Sequence, residues 1–147
     1  MSTLAIICAP TAATIFLGLA GLHAYWALGG FWPGTDADSL NRTVVGGRSG
    51  MRGPGPIATW LVTAILLGAA VTVLGGSGVL TLPMPRAWLR LAAQVGAALL
   101  GLRGLEGFID SRLRPETVGS PFARLNTRIY SPLCLVLAIC TTLAVAA

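Results

Sequence analysis

Charged residues are scarce in this sequence, and lysine is absent altogether. Only 10% of the 147 residues are charged, whereas 54% are hydrophobic and the mean hydropathy is +0.78. Soluble domains carry about 25% charged residues. A water-soluble globular protein is therefore excluded, and the composition predicts an integral membrane protein that sits in the lipid bilayer.

The side chains that usually bind metals are also few. The sequence has a single histidine, His23, and its three cysteines form neither a C-x-x-C pair nor a zinc-type spacing. We therefore expect no metal site and no haem, and the sequence indicates no other cofactor. Cys134 and Cys140 lie on opposite faces of a helix, so we expect no disulfide between them.

All ten basic residues are arginines, and they give the chain a net charge of +5 and a pI of about 10.1. Most of them lie between apolar runs, which is the pattern of cytoplasmic loops rather than of a nucleic-acid site. We therefore exclude nucleic acid as a partner. The N-terminal segment contains no basic residue, so we expect it to remain as a helix and not to be cleaved as a signal peptide.

Four apolar runs are long enough to cross a bilayer, because a spanning helix needs about 20 mostly apolar residues. They cover roughly residues 4–28, 57–80, 88–109 and 130–146. Backbone polar groups in lipid need internal partners, so each run is predicted to be an α-helix. The predicted fold class is all-α, an integral membrane four-helix bundle forming one domain over residues 1–147.

The arginines also predict the orientation of the spans. Seven lie in the two long loops, whereas only Arg86 and Arg90 lie near the short loop. Because cytoplasmic loops are enriched in arginine, we predict cytoplasmic long loops and non-cytoplasmic termini.

The first long loop contains Asp36, Asp38 and Asn41, which allow two interpretations. One is a calcium site, but the glycine and terminal glutamate of a calcium loop are missing at the required offsets. The other is the capped start of a short surface helix, which the Asp-x-Asp-Ser pattern favours.

The first span ends in "GLHAYWALGGFWPG", which combines aromatic residues with helix breakers. Tyr25 and Trp26 are typical of the membrane–water boundary, and the glycines and proline end the helix. His23 fits two interpretations equally well: a hydrogen-bonded helix contact or a group with a chemical role.

The third span ends in "LRGLEGFIDSRLR" and carries ionisable side chains at comparable depth. Arg103, Glu106 and Asp110 are spaced three and four residues apart, so they share one helix face. An Arg103–Glu106 pair that reaches to the boundary is one interpretation. The other is a polar pocket, because ionisable groups within the membrane usually face the bundle interior.

The fourth span opens with "PFARLNTRIYSPLC", on the same membrane side. Arg124 and Arg128 are suited to a lipid headgroup or phosphate, or they are simple cytoplasmic flanking charges.

We predict that His23 and Arg103 face one shared pocket near the cytoplasmic boundary. The candidate catalytic residues are His23, Glu106 and Asp110. The candidate ligand-binding residues are His23, Tyr25, Trp26, Arg103, Glu106, Arg128, Tyr130 and Ser131.

Three stretches carry a family resemblance: "HAYWALGGFWP", "RGLEGF" and "PFARLNTRIYSPLCL". They resemble a bacterial family of small four-helix membrane proteins, domain of unknown function thirty-nine ninety-five. The resemblance implies a four-span fold in the bacterial inner membrane and no known activity. The family pattern places an acid at Gly107 and an aspartate at Asn126, and this chain departs from it at both positions. The implied site comprises His23, Tyr25, Trp26, Arg103, Tyr130, Ser131 and Pro132.

Two functions remain open from the sequence. The first is a membrane pocket for a small lipophilic molecule such as a lipid, a quinone or an isoprenoid-like compound, with or without acid–base catalysis. The second is an accessory or assembly subunit of a larger membrane complex of the respiratory, photosynthetic or transport type. The sequence does not decide whether the protein is an enzyme.

Overall fold

The computed structural model describes residues 3–47, 50–114 and 118–146, and in these residues every regular element is helical. The apolar runs form four long helices, and short helices lie in the two long loops. The elements are α1 (Thr3–Ala27), α2 (Ala37–Leu40), α3 (Pro56–Ser77), α4 (Arg86–Leu113), α5 (Pro121–Leu125) and α6 (Ser131–Val145). The all-α fold class is confirmed.

The four long helices form a bundle in which helices adjacent in sequence are also adjacent in space. α1 packs against α3 and α6, and α4 packs against the same two helices. Thus α1 and α4 lie at opposite corners of the bundle. Alanines on α1 allow close packing around Phe16, Val73 and Leu137, which are almost fully buried.

The outside of this bundle is apolar. Ile65, Leu99 and Ile139 are each about 60% exposed, as expected for side chains that face lipid. Among the described residues, three helical segments are long and apolar enough to cross a membrane: Thr3–Ala27, Pro56–Ser77 and Pro121–Val145. α4 has the length but carries six ionisable side chains. The fourth span therefore remains a prediction, and the helix itself runs past the predicted limits of 88–109 at both ends.

The ends of α3 are set by residues with specific backbone roles. Pro56 occupies the first turn, where its missing N–H costs nothing. At the other end, Gly78 adopts a left-handed φ of 86°. The Nε atoms of Arg86 and Arg90 donate to the Gly76 carbonyl at 2.9 and 3.2 Å. The two short-loop arginines thus cap the carbonyl end of α3.

The fourth helical segment begins earlier than predicted, at Pro121 instead of near residue 130. Ser120 caps it by accepting from the Ala123 N–H, and Pro121 follows in the first turn. A π-helical turn over Asn126–Tyr130 connects α5 to α6 without a break. The predicted run of 130–146 matches α6, and Arg124 and Arg128, which were assigned to the long loop, lie on the helical extension that precedes it.

The first long loop folds over the end of α1. Asp36 caps α2 in a reciprocal capping box with Ser39, which confirms the predicted short helix. The Ser39 backbone N–H holds the pKa of the Asp36 carboxyl below its usual value. A second π-helical turn, Asn41–Val45, follows α2 and packs against α5. The two long loops therefore meet at one end of the bundle.

Candidate functional site

The end of α1 is closed by its own aromatic side chains. Gly29 has a left-handed φ of 95°, and the Gly30 N–H donates to the Tyr25 carbonyl at 2.9 Å, which ends the helix in a Schellman motif. The chain then folds back. Trp26 Nε1 donates to the Trp32 carbonyl at 2.6 Å, and the Tyr25 hydroxyl accepts from the Trp32 N–H at 3.5 Å. Tyr25 and Trp26, two of the predicted ligand-binding residues, therefore hold this turn in place.

His23 is half-buried one turn before this motif. Its Nδ1 lies 2.8 Å from the Leu19 carbonyl oxygen, and a carbonyl only accepts, so Nδ1 carries the proton. The ring meets Trp26 edge-on, with 4.9 Å between the ring centroids. Nε2 makes no hydrogen bond to the described residues, so it is the nitrogen with a free lone pair in the neutral ring.

A cavity of about 800 Å³ lies between the end of α1, the start of α3 and the first long loop. We call it the α1–α3 cavity. Its walls are mainly apolar, and a few polar side chains are set among them. Its lining includes His23, Trp26, Phe31, Asp38, Asn41, Val44, Met51, Arg52, Thr59 and Val62. A large, mostly apolar hollow with few polar groups is typical of a small-molecule site.

Asn41 is the most buried polar residue of this cavity, with 4% of its surface exposed. Its Nδ2 donates to the Met51 carbonyl at 2.9 Å, which fixes the orientation of the amide. Its Oδ1 is buried and accepts no hydrogen bond from the described residues. A Cβ on Gly47 or Gly53 would press against this amide, so the glycines let the loop close around it.

Asp38 ties the loop to α2. Its carboxylate accepts from the Gly50 N–H at 2.8 Å and lies 3.1 Å from Arg42 Nε. The side chain thus has defined partners and serves the loop fold. Arg52 also lines the cavity but is exposed.

A second polar group lies between α4 and α6 and centres on Asn126, which is 0% exposed. Its Nδ2 donates to the Gly107 carbonyl at 2.8 Å and to Ser111 Oγ at 2.9 Å. Its Oδ1 accepts from Arg103 at 3.2 Å and from Ser131 at 3.3 Å. We call these five residues the α4–α6 cluster. Gly107 and Asn126, which the family resemblance singled out in the sequence, both belong to it.

The structure does not bring His23 and Arg103 into one cavity. His23 and Trp26 line the α1–α3 cavity, whereas Arg103 and Ser131 belong to the α4–α6 cluster. The physical reason is the order of the helices: α1 and α4 are diagonal in the bundle, and α3 and α6 separate them. His23 and Arg103 lie at comparable depth along their helices, but this does not bring them close together.

The other predicted site residues are dispersed. Tyr130 donates to the Thr43 carbonyl at 3.4 Å and so joins the two long loops. Asp110 lies 2.7 Å from Arg114, one turn further along α4. Glu106 is exposed and forms no ion pair with the described residues, so the pair with Arg103, one of the two interpretations of this stretch, is not formed. Tyr25 and Arg128 are exposed.

Sequence reasoning missed Asn41 and Asn126 as buried centres. A signal was present, because "LNRT" and "LNTR" repeat the same Leu-Asn pair in the two long loops. In both places the asparagine is buried and begins a π-helical turn. Such turns often occur at functional sites. Within the described part of the chain, no group of three or more histidine, cysteine, aspartate or glutamate side chains is placed to hold a metal ion.

The helices are long and apolar, and the outside of the bundle is apolar as well. Together with the polar groups where the two long loops meet, these features define a small helical membrane protein. A family model matches residues 16–141, and the chain belongs to that family, described as "Protein of unknown function (DUF3995)". This confirms the resemblance given by the sequence stretches. No curated protein and no solved structure matches the chain.

Proposed function

We propose that the protein binds a small lipophilic molecule, such as a lipid, a quinone or an isoprenoid-like compound, in the α1–α3 cavity. The observation that carries the proposal is the cavity itself, with its volume of about 800 Å³ and its mainly apolar walls. Ligand pockets in proteins are typically about 300–1,000 Å³ and combine apolar walls with a few polar groups that orient the ligand.

The position of the cavity supports a ligand that comes from the bilayer. It lies where α1 ends and α3 begins, beside the arginine-bearing first long loop. Arginine-rich loops favour the cytoplasmic side, so the cavity lies at the cytoplasmic boundary of a bacterial inner membrane in this proposal. The chain termini are then on the opposite side.

A ligand in the α1–α3 cavity would meet only one of the three predicted catalytic residues. Of the three predicted catalytic residues, His23 lines the cavity. Glu106 and Asp110 lie along a shallow groove on the outer face of α4, away from it. Any proton transfer in the cavity would therefore involve Nε2 of His23.

Native mass spectrometry of the protein extracted in mild detergent tests the proposal. The wild-type protein is expected to carry a bound lipophile of defined mass. Val62→Trp places a large ring in the cavity wall and should abolish this mass, whereas Val71→Trp, at an exposed valine of the same helix outside the lining, should retain it. Equal ligand occupancy in both variants would contradict binding in the cavity.

A second function, as an accessory or assembly subunit of a larger membrane complex, is favoured by Glu106. This carboxylate lies on the outer face of α4 among exposed apolar side chains, without an ion pair to the described residues. A charge on a lipid-facing helix surface is costly unless a partner neutralises it. The subunit function predicts co-purification at fixed stoichiometry that Glu106→Gln abolishes and Gln94→Ala, at an exposed polar residue of the same helix, preserves. A monomer in all three samples would contradict it.

A further inference from the structure

The polar groups that face the α1–α3 cavity differ in whether their hydrogen-bonding capacity is already used. This difference bears on the chemistry of the ligand, so the inference rests on the proposed function. Trp26 Nε1 is already engaged with the Trp32 carbonyl. The Asp38 carboxylate is engaged with the Gly50 N–H and Arg42. Neither group needs a ligand.

His23 is in a different situation. Because Nδ1 donates its proton to the Leu19 carbonyl, the neutral ring has its lone pair on Nε2. The hydrogen bond to α1 and the edge-on contact with Trp26 both restrict the orientation of the ring. Nε2 is therefore an oriented acceptor in the cavity wall that receives no hydrogen bond from the described residues.

Asn41 has unused acceptor capacity as well. Reversing its amide would place the oxygen against the Met51 carbonyl, so the amide orientation is determined by that contact. The buried Oδ1 consequently lacks a donor among the described residues. A buried acceptor without a donor is unfavourable, but this oxygen is enclosed by the loop, so the acceptor that a ligand can reach in the wall is Nε2 of His23.

Arg52 is the cationic donor of the lining, and its side chain is exposed. The half-buried lining group with an unused acceptor is thus His23. A carboxylate or phosphate brings only acceptors, so it would not form a hydrogen bond with Nε2 of the neutral ring.

We infer that the polar end of the ligand is a hydroxyl group, and that the α1–α3 cavity takes a lipophilic alcohol or phenol whose O–H donates to Nε2 of His23. The apolar body of the ligand contacts the aromatic and aliphatic wall formed by Phe31, Val44 and Val62. A bilayer offers such molecules in both aliphatic and aromatic form, and the shared chemistry is the hydroxyl donor on an apolar body.

Equilibrium binding of 4-heptylphenol and its methyl ether, 4-heptylanisole, to the protein in lipid nanodiscs tests the inference. The two probes differ in the O–H group, and empty nanodiscs correct for partitioning into lipid. The wild-type protein is expected to bind the phenol about five- to tenfold more tightly than the ether, as one hydrogen bond predicts. His23→Phe keeps an aromatic ring but no acceptor, so the preference should fall to near unity. His23→Gln restores an acceptor and should recover part of it.

The outcomes separate this inference from the proposed function. Equal affinity of the wild-type protein for phenol and ether, or an unchanged preference in His23→Phe, would overturn the hydroxyl inference and leave a lipophile cavity in place. Saturable binding of neither probe above the empty nanodiscs would contradict both. If aliphatic alcohols are the natural class, dodecan-1-ol should bind more tightly than 4-heptylphenol after correction with empty nanodiscs, and tighter binding of the phenol would assign an aromatic ligand.

Discussion

Replacement of Asn126 by alanine is expected to be the most informative perturbation of the bundle. The side chain is 0% exposed and makes hydrogen bonds to four groups of the α4–α6 cluster. Three of these hydrogen bonds join Asn126 to α4, and hydrogen bonds between membrane helices contribute about 0.6 kcal/mol each on average, so the three together give roughly 1.8 kcal/mol. Partners left unsatisfied add to the cost, because a buried group without a hydrogen bond costs about 1–3 kcal/mol. We expect Asn126→Ala to lower the free energy of unfolding by about 2–4 kcal/mol.

Unfolding in mixed micelles with increasing SDS, followed by tryptophan fluorescence and circular dichroism, measures this change. Asn126→Asp keeps the acceptor for Arg103 and loses the two amide donors, so it should lower the free energy of unfolding by less than Asn126→Ala does. Gln94→Ala removes an exposed amide from the same α4 and should stay within about 0.5 kcal/mol of the wild type. The account of the cluster is refuted if Asn126→Ala is no more destabilising than Gln94→Ala.

Three further predictions follow from the packing and the charges. Gly107→Ala should lower the free energy of unfolding by about 1–3 kcal/mol, because the α4–α6 cluster has no room for a methyl group there. Gly96→Ala places its methyl group in open space and should stabilise the helix slightly, and equal effects of the two changes in thermal unfolding would contradict this packing. Cys8 and Cys140 lie side by side in the core, so oxidation with copper–phenanthroline should form a disulfide between them and leave Cys134 as a free thiol. Mass analysis of the peptides measures this, and a Cys134–Cys140 disulfide would disprove the helix packing. A tag at the C-terminus should be labelled by a membrane-impermeant reagent from outside the cytoplasm, and labelling from the cytoplasmic side alone would reverse the orientation.

Much of the fold was predictable from the sequence, because a bilayer leaves few alternatives to the helix. Apolar runs of about 20 residues located α1 and α3 to within a few residues, and Pro56 marked the start of α3 correctly. The ends of the helices were harder to predict where charged residues continue the helix. α4 continues to Leu113 because Asp110 and Arg114 pair one turn apart, although their charges resemble a loop.

The site was less predictable, for a geometric reason. Depth within a span follows from counting residues, but the order of helices around a bundle does not. His23 and Arg103 lie at comparable depth on helices that occupy opposite corners. One interpretation of the sequence paired Arg103 with Glu106 on its own helix, and in the structure Arg103 contacts Asn126 of the neighbouring segment instead. Only the tertiary arrangement decides between such partners.

The role of the first long loop was similarly hidden. Its glycines and polar residues indicate a surface loop, yet Asn41 is buried at its centre and Gly47 and Gly53 close around it. The loop thereby forms the wall of a cavity. The aromatic residues after His23 were predicted as boundary residues, and they also hold the turn that shapes one side of that cavity.

A crystal structure of the protein grown from a lipid mesophase tests the central claim most directly. The account predicts continuous density for an elongated molecule in the α1–α3 cavity, with a polar atom within hydrogen-bond distance of His23 Nε2. A cavity that is collapsed, or filled by side chains of the chain itself, would contradict it.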